Sequence, residues 1–218
     1  MAKTKVSANT SSQIMSKVFG DISFYSEILE KEARRLSKKY DDPDLRRDFK
    51  EMPYRSITLI PMAMYGALMK DLKRKPDRDV LAAIGLACFP IGTHDDVVDE
   101  MFRLRRTVAT LVYSGNIAGL EGIRILFDKK KPEVAKALID SINRNHYRQQ
   151  KVISILWEGK EITPDDYFEG IYHIIDFVSI GLLTGLADAN RKDLAKRIMR
   201  FSGSGPQDLF HGPRRPSR

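Results

Sequence analysis

Between Val80 and Ile91 this chain has no polar residue, and a helix that is apolar on every side belongs inside a protein rather than on its surface. Directly after it, Thr93-His94-Asp95-Asp96-Val97-Val98-Asp99-Glu100 brings four carboxylates close together. On a helix, Asp95 and Asp99 lie one turn apart on one face, and Asp96 and Glu100 make a second such pair beside it. Like charges at that spacing repel, so a buried helix that ends on them calls for a cation or a basic ligand. Hard carboxylate oxygens suit Mg²⁺, which takes one or two protein carboxylates and fills its octahedron with water and phosphate oxygens. Asp95, Asp96 and Asp99 are therefore candidate Mg²⁺ ligands, with a solvated acidic helix end as the plain alternative.

The frame around this helix is a chain of 218 residues and 42% hydrophobic content, enough to bury one sizeable core. We expect a single domain over residues 1–201. Ser202-Gly203-Ser204-Gly205-Pro206 reads as a linker, and the polar, basic stretch from His211 to Arg218 has nothing to anchor it, so 202–218 is expected to be a disordered tail. No apolar stretch reaches membrane-spanning length without charge, and Met1 to Ser7 has no apolar signal region. The single cysteine, Cys88, excludes an internal disulfide and is read as a small core residue. Together these features predict a cytoplasmic protein. The net charge of +8 is spread along the chain rather than gathered in a stripe with interleaved aromatics, which argues against nucleic acid.

Helical spacing recurs from end to end. Helices are expected over Gln13 to Lys39, Tyr54 to Lys73, Asp77 to about Met101, Asn116 to Phe127, Pro132 to about Trp157, Asp165 to Leu186 and Asn190 to Phe201. Asp41-Asp42-Pro43 marks a turn or a helix start, and Pro76, Lys129-Lys130-Lys131 and Gly159 to Pro164 mark breaks. No strand alternation and no internal repeat is present, so the class is all-α.

Several of these segments resemble the trans-isoprenyl diphosphate synthases, or polyprenyl synthetases. His94-Asp95-Asp96-Val97-Val98-Asp99 is similar to the family's first aspartate-rich motif. Arg103, Arg105 and Arg106 resemble the arginine pair that follows it, and Gly115-Asn116-Ile117-Ala118-Gly119-Leu120-Glu121-Gly122 resembles the glycine-containing helix start after that pair. Tyr54-Arg55-Ser56 stands where the family has its basic Arg-Pro segment, and Gln149-Gln150 where a mid-chain glutamine occurs. The family's second aspartate-rich motif has no counterpart here, Gly205-Pro206-Gln207-Asp208 holding a single carboxylate.

The resemblance implies an isoprenoid-synthase-like helical bundle around an apolar cavity, with an incomplete C-terminal part. It implies a Mg²⁺-dependent prenyltransferase acting on an allylic isoprenoid diphosphate, with Asp95, Asp96 and Asp99 as catalytic and metal-binding residues. Arg55, Arg105, Arg106 and Gln150 would bind the diphosphate. By the same resemblance the chain is expected to form a homodimer, or a heteromer with a related synthase. Two other readings stay open. One is a non-catalytic or truncated member of the same fold that serves as a partner subunit. The other is a metal-dependent phosphohydrolase using His94-Asp95 as an adjacent ligand pair, for which His146, His173 and His211 are the remaining imidazoles.

Overall fold

The computed structural model describes residues 8–98, 108–157, 161 and 163–201, and among them every regular element is helical. The expected all-α class is therefore what the chain adopts. The elements are α1 (Ala8–Lys39), α2 (Pro43–Glu51), a single 3-10 turn (Met52–Tyr54), α3 (Ser56–Asp71), α4 (Arg78–Val98), α5 (Val108–Asp128), α6 (Pro132–Trp157), α7 (Pro164–Asp188) and α8 (Lys192–Phe201). The expected tail over 202–218 lies outside the described residues.

Local chemistry explains the boundaries. Asp42 caps α2, its Oδ1 accepting from the Asp44 and Leu45 amides at 3.0 and 2.9 Å, with Pro43 supplying a preset φ at the first position. Thr163 and Asp166 form a reciprocal capping box at the start of α7, again followed by proline. Asp77 Oδ1 accepts from the Asp79 amide at 2.8 Å at the start of α4. The C-termini of α3, α5 and α7 share one ending. Lys73, Lys130 and Asn190 turn to φ of 55°, 56° and 56°. The next residue's amide then closes on the carbonyl five positions back: Arg74 on Met69, Lys131 on Leu126, Arg191 on Leu186. Two of these three left-handed positions are lysine rather than glycine, which is why composition alone does not reveal the motif.

Helix α4 is the axis of the bundle. Every residue from Val80 to Thr93 is buried, and α1, α3, α5, α6 and α7 all pack against it. Helix α5 reaches it through a face of small residues. A Cβ at Gly122 would stand 2.7 Å from the Ala83 carbonyl oxygen and 3.0 Å from Leu86 Cβ, and one at Gly119 would stand 2.9 Å from Pro90 Cγ. Gly181 plays the same part between α7 and α3, where a Cβ would come 2.8 Å from the Pro61 carbonyl carbon and 3.0 Å from the Tyr65 amide. Backbone cannot yield as a side chain tip can.

Polar contacts tie one end of the bundle. Asp188 of α7 accepts from Tyr65 Oη of α3 at 2.8 Å and pairs with Lys131 Nζ at 2.6 Å, and Lys131 also reaches Asp77 at 2.9 Å. Lys129 pairs with Asp79 at 2.8 Å. This is where α4 starts. Its 21 residues then carry the chain roughly 30 Å to the opposite end. A second hub, Glu121 of α5, is buried and binds Arg35 at 2.8 Å, Lys39, and Arg124 at 2.8 Å, joining α1 to α5. Burial pushes the Glu121 carboxyl up, but hydrogen bonds from Arg124, Lys39 and Arg35 outweigh it and hold the group well below the usual carboxylate range.

Two outcomes follow. Gly181→Ala should destabilise the fold by about 2 kcal/mol through overpacking against backbone, read as a melting temperature roughly 4–8 °C lower. Because the folded pKa of Glu121 is depressed, its contribution is complete at neutral pH and is lost as pH falls below the ordinary value of 4.5. Melting curves taken from neutral pH down to strong acid should therefore fall more steeply for the natural chain than for Glu121→Gln. At neutral pH that variant should already be less stable by on the order of 2 kcal/mol.

Candidate functional site

At the end of the bundle opposite the Asp188 clamp, α4 carries His94, Asp95 and Asp96 on its last described turn and a half. Helical phase places Asp96 on the face that also carries Phe89 and Gly92, and Asp95 on the face of Cys88 and Ile91. Asp99, Arg103, Arg105 and Arg106 lie outside the described residues. Helix α5 resumes at Val108, two residues after Arg106 and eight before the helix start expected at Asn116. Gly115 holds this early part of α5 against α4: a Cβ there would stand 3.1 Å from Pro90 Cα, with the Thr93 hydroxyl nearer still.

Arg55 arrives from another helix. It is the residue before α3, in extended conformation with φ −85° and ψ 124°. Thr58 locks the turn around it, its hydroxyl donating to the Met52 and Arg55 carbonyls at 3.0 and 2.7 Å. The Arg55 guanidinium lies over the Phe89 ring, 5.6 Å from its centroid, and a Cβ at Gly92 would stand 3.7 Å from Arg55 Nη1. Its side chain keeps 19% exposure and an ion pair with Glu51 at 3.7 Å. A cation over an aromatic face is held there by attraction to the ring's electron-rich surface. Arg55 thus sits one helical turn below Asp96, although the two are 41 positions apart in the chain.

Helix α6 supplies the opposite wall. Of the glutamine pair, Gln149 is buried and faces the bundle, whereas Gln150 is exposed. The side chain at 149, one position away from the residue singled out in the sequence, is the amide turned toward the interior. His146, on the next turn back, brings its ring to 5.6 Å from that of His94, inclined at 37°. Burial lowers the His94 pKa and a side-chain hydrogen bond with Asn116 raises it; the net shift is downward, which favours the neutral imidazole.

Between α6 and α7 lies a charged cluster that sequence reasoning did not pick out. Asp176, fully buried on α7, meets Arg144 at 3.3 Å and Arg148 at 3.0 Å, and Arg148 stacks over Tyr172 at 5.0 Å. Burial pulls the Arg144 pKa below its usual range despite the attraction of Asp176, and Arg148 adds to the lowering. The signal was present in Ile174-Ile175-Asp176-Phe177-Val178, an acid alone in an apolar run, and in two arginines one turn apart on α6. Asp176→Ala should cost about 3 kcal/mol by leaving two guanidinium groups without that carboxylate, lowering the melting temperature by roughly 6–12 °C.

The chemistry of this end is that of anion and cation capture. Carboxylates at Asp95 and Asp96 fit a hard divalent ion, and a stacked guanidinium fits phosphate or carboxylate oxygens. Among the described residues no group of three His, Cys, Asp or Glu side chains gathers as a metal site, and Asp99 lies outside them. Also among them, no helix is long and apolar enough to cross a membrane. Compared with family models, curated proteins and solved structures, the chain matches none.

Proposed function

We propose that this chain binds an allylic isoprenoid diphosphate through Mg²⁺ at the acidic end of α4, and acts on it as a prenyltransferase of the isoprenoid-diphosphate-synthase type. The observation that carries this reading is the arrival of Arg55, at the entry to α3, one turn below Asp96 on α4, with its guanidinium over the Phe89 ring. In this assignment Asp95, Asp96 and Asp99 hold the metal, and Arg55, Arg105 and Arg106 take the remaining phosphate oxygens by bidentate hydrogen bonds. Bound Mg²⁺ would supply charge stabilisation to the departing diphosphate. Gln149 and Gln150 offer amide groups on the facing helix. In this reading the apolar residues below the acids, Phe89, Cys88 and Ile57 among them, would keep water from an allylic cation.

The test is thermal unfolding of the full chain with and without Mg²⁺ plus farnesyl diphosphate. Ligand at about a hundred times its dissociation constant should stabilise by about 2.7 kcal/mol, a rise of roughly 5–10 °C. The rise should require metal and vanish in the Asp95→Ala, Asp99→Ala double variant, and Arg55→Ala should weaken binding about tenfold. A shift without diphosphate release would point to a non-catalytic partner subunit of the same fold. The absence of any metal-dependent shift would overturn the reading.

A further inference from the structure

His94 and His146 come from helices α4 and α6, 52 positions apart, and meet with ring centroids 5.6 Å apart. His94 Nε2 is buried with no hydrogen-bond partner in the structure, so the bond that His94 makes with the Asn116 side chain falls to Nδ1. With the Asn116 amide oxygen accepting from Nδ1–H, Nε2 presents its lone pair, as in a ligand histidine whose other nitrogen is held by a hydrogen bond. Two imidazoles bound to one tetrahedral ion, with metal to nitrogen distances of about 2.0–2.1 Å, hold their ring centres roughly 5 Å apart. The observed centroid separation of 5.6 Å is close to that value.

From this geometry we propose that His94 and His146 form a two-imidazole site for a borderline divalent cation of the zinc and cobalt class, open to further ligands from water. Imidazole selects such ions over Mg²⁺, whose preference is for oxygen. The site is independent of the diphosphate reading: its ligands differ, and its occupancy needs no diphosphate.

The experiment is titration of the metal-free full chain with Zn²⁺ in competition with a chromophoric chelator, without diphosphate. One equivalent should bind, excess Mg²⁺ should not displace it, and His146→Ala and His94→Gln should each weaken it at least tenfold, while His173→Ala leaves it unchanged. Each variant's melting curve without metal reports its folding. A readout free of substitution is the long-range proton–nitrogen spectrum of the natural chain, in which Zn²⁺ should move the ring nitrogens of two of its four histidines. Unchanged affinity in His146→Ala, displacement of Zn²⁺ by Mg²⁺, or a spectrum in which no pair of imidazoles responds would overturn the site. Failure here with an intact Mg²⁺–diphosphate shift would leave the prenyltransferase reading standing, and the converse pattern would remove that reading alone.

Discussion

Backbone-to-backbone approach at the glycines of α5 and α7 is the constraint on which the rest of this bundle depends. Gly122 admits the Ala83 carbonyl and Gly181 admits the Pro61 carbonyl at distances that leave no room for a methyl group. Contacts of that kind set helix spacing more sharply than interdigitating side chains do, because backbone cannot change rotamer. They draw α5 onto α4 and α7 onto α3, and α4 is left without an exposed residue from Val80 to Thr93. Once α4 is enclosed, its acidic end can only lie at the margin of the core.

The two ends of α4 are then electrostatically different. At its start, Asp77 and Asp79 have lysines within about 3 Å, and Lys131 shares itself between Asp77 and Asp188. Lys131 keeps a raised pKa although burial works against it, because both carboxylates favour its charged form. That end is a structural clamp joining α3, α4 and α7 through the turn between α5 and α6. At the other end the polar groups are of mixed kinds, a stacked arginine, two facing imidazoles and a buried amide, brought from α3, α4 and α6. Mixed donors and acceptors converging on one end of a bundle are the usual form of a ligand site on a helical scaffold.

Much of this was legible in the sequence because it is periodic. The apolar run and its acids located α4, and Pro132 and Trp157 bound α6 where they were expected. Other features escaped for identifiable reasons. Helix α5 starts at Val108, through Thr110, Val112 and Tyr113, residues of modest helix propensity that packing against α4 overrides. Asp42-Pro43 opens a nine-residue helix where the sequence left a turn or a start undecided. His146 meeting His94, and Asp176 meeting Arg144 and Arg148, are long-range encounters that no local period announces.

In the proposed assignment Arg55 and the α4 acids serve one ligand. The most direct measurement is a double-mutant cycle on the affinity for farnesyl diphosphate in Mg²⁺, comparing Arg55→Ala, Asp95→Ala and the combined variant. A shared site predicts strong coupling, with the double variant binding little worse than the weaker single one. Additive losses, or an Arg55→Ala variant that binds as tightly as the natural chain, would contradict it.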